Sequence, residues 1–347
     1  MKIYTIREVA QLAGVSVTTV SRVLNHRPDV SAATRQRVEQ VMARCNFVGN
    51  ANARSLKQQD GETAALILRG RGSPFLSRLA ETMLQCAAGA SVSFVMETID
   101  EKEDEFQTAL RLMHERRATG FILIGSRLDE RAEVLRTVDV PLVFATTDAS
   151  RSSLPRVSSV CVDDYRMGGL AMETLLSAGH RRIAIFGGSR RAGDSLSARY
   201  LGARDACTRA GLSLDEQRYV ETRFSLADAY GAARAFFPLR SDTTAVFAMS
   251  DQIAMGVIRA LRDMGRRVPE DVSVFGFDGV EMGKYFIPSL TTIVQPQEEI
   301  ARKSVEVLLD MMEHDSPGRH LLLEATLARR ESVAPISSKS AQGKDPA

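Results

Sequence analysis

Over the first forty residues, apolar positions recur at three- and four-residue intervals with polar residues between them, the period of short amphipathic helices. Thr5 and Glu8 form a capping box that opens a first helix through Val9 and Leu12, and Gly14 breaks it. Ser16 caps a second helix carrying Val17, Val20, Val23 and Leu24. A loop follows over 25–28, and Ser31 caps a third helix with Val38, Val41 and Met42 on one face. Residues 46–62 are polar and too poor in apolar side chains to build a core, so they read as a linker with latent helicity. Beyond Glu62 the pattern alternates between short apolar strands and amphipathic helices. Strands are expected at 64–68, 92–96, 121–124 and 142–145, then at 183–186, 245–248 and 272–275. Helices are expected between them, at 103–115, 165–177, 195–210 and 252–264 among others. Buried strands separated by helices imply parallel sheets covered on both faces, with ligands at the strands' carboxyl ends. The two series suggest two similar lobes.

Composition changes this picture little. At 347 residues the chain exceeds one hydrophobic core, and 44% apolar with 25% charged residues excludes wholesale disorder. No apolar run approaches the roughly 18 residues of a membrane span, and Arg7 and Glu8 interrupt any signal-peptide core. Four scattered cysteines, Cys45, Cys86, Cys161 and Cys207, argue against disulfides and zinc and fit a reducing cytoplasm. Charge is more telling. Net charge is +2, yet residues 1–60 hold nine Lys/Arg against four Asp/Glu, a balance of +5 over a slightly acidic remainder. A basic head suits a polyanion.

Helix, glycine turn and helix at this spacing is the outline of a helix-turn-helix, although an ordinary helical hairpin shares it. In a helix-turn-helix the second helix presents its N-terminal residues to base edges in the major groove. Here those residues are Val17, Thr18, Ser21 and Arg22. Arg22 can donate two hydrogen bonds to a guanine, Thr18 can bond a base or phosphate, and Val17 can meet a thymine methyl. Ser16, Thr19 and Asn25 suit phosphates, which position without specifying.

The wording of the chain is more specific than this outline. TIREVAQLAGVSVTTVSRVLN resembles the head of the LacI/GalR family of bacterial repressors. The resemblance continues through VSAATRQRV, NANARSL, AGHRRIAIFGG, SARYLGA, FAMSDQIAMGVIRALRDMG, VPEDVSVFGFD and PSLTTIVQP, over roughly residues 3–335. It implies an all-α helix-turn-helix head on a two-lobed α/β core like that of periplasmic binding proteins. The head would span 1–48 and a hinge helix 49–61. The core would span 62–335, with a first lobe of about 62–160 plus 291–322 and a second of about 161–290 plus 323–335; a tail over 336–347 reads as disordered. The resemblance adds Thr5, Asn50, Ala53, Arg54 and Leu56 to the DNA-facing residues, Leu56 as the side chain that wedges into the minor groove from paired hinge helices. Relatives usually carry proline where this chain has Gly49, which leaves the hinge entry more flexible.

For the cleft between the lobes the resemblance implies Phe75, Arg199, Phe224 and Asp278, with Thr146 and Ser250 at neighbouring strand ends. Aromatic faces would stack on a ring, and Arg199 and Asp278 would fix its orientation. Many relatives carry a second acidic residue where this chain has Gly279. Arg69, Arg71, Arg190 and Arg191 follow the first strand of each series, which raises an anionic effector such as a sugar phosphate or sugar acid. Solvated loop charges are the plainer reading of the same arginines. No cofactor, metal or catalytic residue is expected. Gly187-Gly188-Ser189 is not a dinucleotide fingerprint, no P-loop or nucleophile elbow is present, and His180 reads as structural. The expected partners are double-stranded operator DNA, a sugar, sugar phosphate or similar effector, and a second copy of the chain, with no membrane. The chain then reads as a cytoplasmic, dimeric repressor released by its ligand. A carbohydrate-binding protein or an α/β enzyme without a regulatory role is the alternative.

Overall fold

A computed structural model describes residues 6–24, 30–45, 62–128, 130–137, 140–154, 156–189 and 195–336. Thr5, Asn25, Gly49, Asn50, Ala53, Arg54, Leu56, Arg190 and Arg191, and the tail from 337, lie outside these residues. The chain divides into two compact units, Met1–Gly61 and Glu62–Ala347.

The first unit contains α1 (Ile6–Ala13), α2 (Val17–Leu24) and α3 (Ala32–Arg44). Its core is small: Val9, Ala10, Ala13, Val20, Val23 and Val38, with Val15, Val30, Val41 and Met42 at the margin. Leu12, although apolar, is 58% exposed. Val9, Ala10 and Ala13 share an arc of about 100° at the α-helical step, and Leu12 falls outside that arc. Gly14 adopts φ +64°, ending α1, and the Val15 amide donates back to the Ala10 carbonyl at 3.0 Å. Ser16 and Ser31 cap as expected: their hydroxyls accept from the Thr19 amide at 3.1 Å and the Thr34 amide at 3.3 Å.

The second unit holds two six-stranded sheets. The first comprises β1 (Thr63–Arg69), β2 (Ser93–Ile99), β3 (Ala118–Ile124), β4 (Leu142–Ala145), β5 (Val157–Val162) and β11 (His320–Leu323). Its strands run parallel in the order β11-β5-β4-β3-β1-β2. The second contains β6 (Ile183–Gly187), β7 (Tyr219–Glu221), β8 (Ala245–Ala248), β9 (Ser273–Asp278), β10 (Thr291–Val294) and β12 (Thr326–Ala328). Its order is β12-β10-β9-β8-β6-β7, with β12 alone antiparallel.

Both sheets are covered on both faces, as near-continuous apolar strands require. In β1, Ala64, Leu66 and Leu68 face α4 (Pro74–Cys86) and α11 (Gln297–His314), whereas Ala65 and Ile67 face α5 (Glu105–Arg116). In the second sheet Ile185, Phe247 and Phe277 pack with α6 (Asp164–Ser177) and α7 (Ser195–Arg209). Phe186, Val246 and Val274 pack with α8 (Leu226–Leu239) and α9 (Asp251–Asp263). A single turn, α10 (Met282–Tyr285), precedes β10. Ser73, Asp104, Asp163, Ser225 and Ser250 cap the helices that follow, so capped helix starts line up beyond the strands' carboxyl ends.

Three chain crossings join the lobes, and they correct the expected boundaries. β5 reaches Val162 inside the first sheet, so 161–162 belong to the first lobe. β10 pairs with β9 from Thr291↔Phe275 to Val294↔Asp278, placing 291–294 in the second lobe rather than the first. Leu323 pairs with Val162 and therefore stays in the first. Apolar patterning marks these segments as strands but cannot name the partner sheet, which backbone hydrogen bonding decides. Ile336, first residue of the expected tail, is instead held to the core: its amide donates to the Ala178 carbonyl at 2.8 Å and its side chain packs on Gly179.

Candidate functional site

On the first unit, the start of α2 turns outward. Val17 is 41% exposed, Thr18 and Arg22 are exposed, and Ser21 and Thr19 are half-buried, while Val20 and Val23 hold the helix to its core. The Thr19 and Ser16 hydroxyls are 2.8 Å apart. A shallow depression joins the starts of α2 and α3, lined by Ser16, Thr19, Arg22, Ser31, Thr34 and Arg37. Two guanidiniums and four hydroxyls around exposed helix starts can bind phosphate oxygens. Ser16, Thr19 and Arg22 are expected DNA-facing residues; Ser31, Thr34 and Arg37, from the start of α3, join them here.

In the second unit a cavity of about 600 Å³ opens between the lobes at the carboxyl ends of both sheets. Arg69, Arg71, Phe75, Thr146, Arg199, Phe224 and Asp278 all line it, so the structure gathers these candidates in one place. Ser250 does not line it. Its hydroxyl accepts from the Ile253 amide at 3.2 Å as the N-cap of α9, and that bond fixes it to its own helix. Lys102, Arg127, Glu221, Arg223 and Gln295 also line the cavity and are not among the residues the sequence points to.

Arg199 is the best-anchored of these groups. Helices α6 and α7 cross at glycines: a Cβ on Gly168 would lie 2.2 Å from the Arg199 carbonyl oxygen, and one on Gly202 would lie 1.8 Å from that of Tyr165. This close crossing sets Arg199 against the second sheet. Its Nε donates to Asp164 Oδ1 at 2.7 Å, a terminal nitrogen donates to the Met249 carbonyl at 2.8 Å, and its Cζ sits 3.6 Å over the Phe277 ring. Asp278 Oδ1 is 4.0 Å from the guanidinium and accepts from Gln295 Nε2 at 2.9 Å. Burial pushes the Asp278 carboxyl up to about 8, against the pull of Arg199 and with the push of nearby Asp251. Burial likewise takes Asp251 up to about 7, even though Thr292 and the Val280 amide donate to it at 2.6 and 2.7 Å.

Two cleft residues hold strained backbones. Thr146 has φ 75° and Asp278 φ 115°, both at strand ends, each costing on the order of 1–3 kcal/mol. Gly279 leaves no room for the second acidic side chain of many relatives: φ is +76°, and a Cβ would approach Val294 Cα to 2.7 Å. Arg69 is engaged rather than offered to a ligand. Its Nε is 3.4 Å from the fully buried Glu105 carboxylate, and it also donates to the Glu101 carbonyl. Across the mouth of the cleft, Arg223 of the second lobe pairs with Asp100 at 3.1 Å and Glu101 at 3.5 Å of the first.

The remaining candidates are structural. His180 is buried between Thr244 and Ser273 hydroxyls, each at 3.1 Å, and burial lowers its pKa. Among the described residues no group of His, Cys, Asp and Glu could hold a metal ion, and no helix is long and apolar enough to cross a membrane.

Residues 5–50 match the family model described as bacterial regulatory proteins, lacI family, and residues 172–333 match that of a periplasmic binding protein-like domain. The HTH-type transcriptional regulator MalR of Clostridium butyricum is 30% identical over 330 residues, 94% of this chain and 98% of that protein. The HTH-type transcriptional repressor PurR of Vibrio vulnificus is 31% identical over 96% of this chain and 99% of its own length. Among solved structures, the Lac repressor dimer bound to operator and the anti-inducer ONPF superposes with a TM-score of 0.74 at 27% identity, covering 96% of this chain and 100% of that one. The CelR–cellobiose complex gives a TM-score of 0.70 at 29% identity, over 95% and 99%. With helix-turn-helix, two-lobed core and near full-length relatives in agreement, the chain belongs to the lacI family of bacterial regulatory proteins and is a DNA-binding transcriptional regulator, not an enzyme.

Proposed function

We propose that this protein is a cytoplasmic, dimeric repressor that binds a palindromic operator and is released from it by a small polyhydroxylated ligand held between the lobes. The observation that carries this reading is the pairing, in one chain, of a basic helix-turn-helix surface with a cleft lined by two aromatic side chains and the Arg199–Asp278 couple. One head reads too few base pairs for selectivity, and a two-fold pair on a palindrome supplies the remainder. Val17, Thr18, Ser21 and Arg22 read bases in this account, with Ser16 and Thr19 on phosphates. Asn25, Asn50, Ala53, Arg54 and Leu56 join them on the strength of the family resemblance.

Phe75 and Phe224 would sandwich a sugar or similar ring, with Arg199, Asp278 and Gln295 bonding its hydroxyls. Relatives with cellobiose and with ribose bound support a sugar. Release follows if the ligand prefers a lobe arrangement that binds DNA less well. The test is selection of an operator from random duplexes, then a thermal-shift screen of sugars, sugar phosphates, polyols and purines. A hit should lower operator affinity; a carbohydrate-binding protein without a regulatory role would select no operator at all.

A further inference from the structure

Strands β2, β1 and β3 are neighbours in the first sheet, and Arg69 stands opposite Ile99 while Leu68 stands opposite Ile124. Arg71 follows Arg69 by two residues, Lys102 follows Ile99 by three, and Arg127 follows Ile124 by three. Three cations therefore follow the carboxyl ends of three adjacent strands within two or three residues, and all three line the cleft.

The carboxylates nearby already face cations, although Glu105 Oε2 forms no hydrogen bond. Glu105 pairs with Arg69 and accepts from the Arg127 amide at 3.1 Å, and Asp100 and Glu101 pair with Arg223 of the other lobe. Arg71, Lys102 and Arg127 form no ion pair with a described carboxylate. Arg127 Nε is in addition buried with no hydrogen-bond partner, a donor that native structures rarely leave unmet. The opposite wall differs in character: Phe224 presents a ring face, and the charge of Arg199 is met by Asp164 at 2.7 Å.

We infer that the first-lobe wall is an anion subsite, and that the effector is a polyhydroxylated ring carrying one phosphate or carboxylate, gripped by Arg71, Lys102 and Arg127. Arg69, the first candidate for this role, instead braces the wall through Glu105. The inference rests on the reading of the cleft as the effector site and goes beyond it by naming the ligand class and the residues that select it. Arg127 supplies direction, because a guanidinium binds two oxygens of such a group at once; Lys102 adds a point charge.

Two measurements on the full-length protein test it. In the first, inorganic phosphate replaces chloride at constant ionic strength, and thermal unfolding is followed for the wild type, Arg127→Gln and Arg71→Gln/Lys102→Gln/Arg127→Gln. Phosphate should raise the wild-type midpoint more than that of either variant; equal shifts in all three overturn the subsite. In the second, calorimetry compares glucose, glucose 6-phosphate and gluconate, and ribose with ribose 5-phosphate. A charged member should bind at least tenfold more tightly than its neutral partner, with the preference largely lost in the triple variant; the phosphate and acid arms separate the two anions. Neutral sugars that bind as tightly and still release operator would overturn the subsite and leave the cleft reading intact. A sugar phosphate whose binding is lost in the triple variant, yet which leaves operator affinity unchanged, would instead overturn the cleft as an effector site.

Discussion

Arg199 is held by four separate contacts, and each depends on the guanidinium. Replacing it with alanine removes the cation that pairs with the buried Asp164 carboxylate and opposes Asp278. Loss of one partner of a buried pair costs about 3–5 kcal/mol, so Arg199→Ala should show that deficit in urea titration along with loss of ligand binding. Asp278 makes a pH prediction. Its folded pKa of about 8 lies far above the ordinary 3.8, so folding favours its protonated form. That contribution is complete below about pH 4 and is lost as pH climbs through about 8. Asp278→Asn stays neutral throughout and should flatten the decline in stability between those limits; a slope equal to wild type would contradict the assignment. Asp251 acts in the same direction, so part of the decline should remain in the variant.

At the scale of elements, the crossing of α6 and α7 positions Arg199. Gly168→Ala must push backbone against backbone, since the added carbon meets the Arg199 carbonyl oxygen. The variant should therefore lose stability and ligand affinity together, whereas Ser16→Ala, at the cap of α2, should cost about 1 kcal/mol in the head and leave ligand binding unchanged. Calorimetry and thermal unfolding of the pair check this. Caps and apolar runs were the legible features: β4 and β8 fall where expected, and Ser16 and Ser31 cap as read. The short strands β7, β10, β11 and β12 were not legible. Each mixes polar with apolar residues over three or four positions, unlike the uninterrupted apolar runs of β4 and β8, so no strand pattern shows. Of the residues the family resemblance implies for the cleft, Phe75, Arg199, Phe224 and Asp278 line the cavity, whereas Ser250 belongs to a helix cap. Lys102 and Arg127 are not legible in the sequence because only the adjacency of β2, β1 and β3 in the sheet brings them to the same cavity as Arg71.

For the whole molecule the question is how a ligand among these side chains reaches the DNA. Arg223 bridges the lobes to Asp100 and Glu101 across the cleft mouth, so it favours this arrangement of the lobes, in which the cleft residues converge. Arg223→Gln should weaken ligand binding and reduce its sensitivity to salt, because exposed pairs of this kind are screened; titrations at low and high ionic strength would show it. Linkage then sets the requirement for control: the ligand must bind the DNA-competent and DNA-incompetent states with different affinity. The most direct test is fluorescence anisotropy of the full-length protein on its selected palindromic operator, with and without the ligand that calorimetry shows to fill the cleft. Operator affinity should fall by about 5- to 150-fold at saturation. Unchanged affinity at ligand concentrations that saturate the cleft would contradict the account.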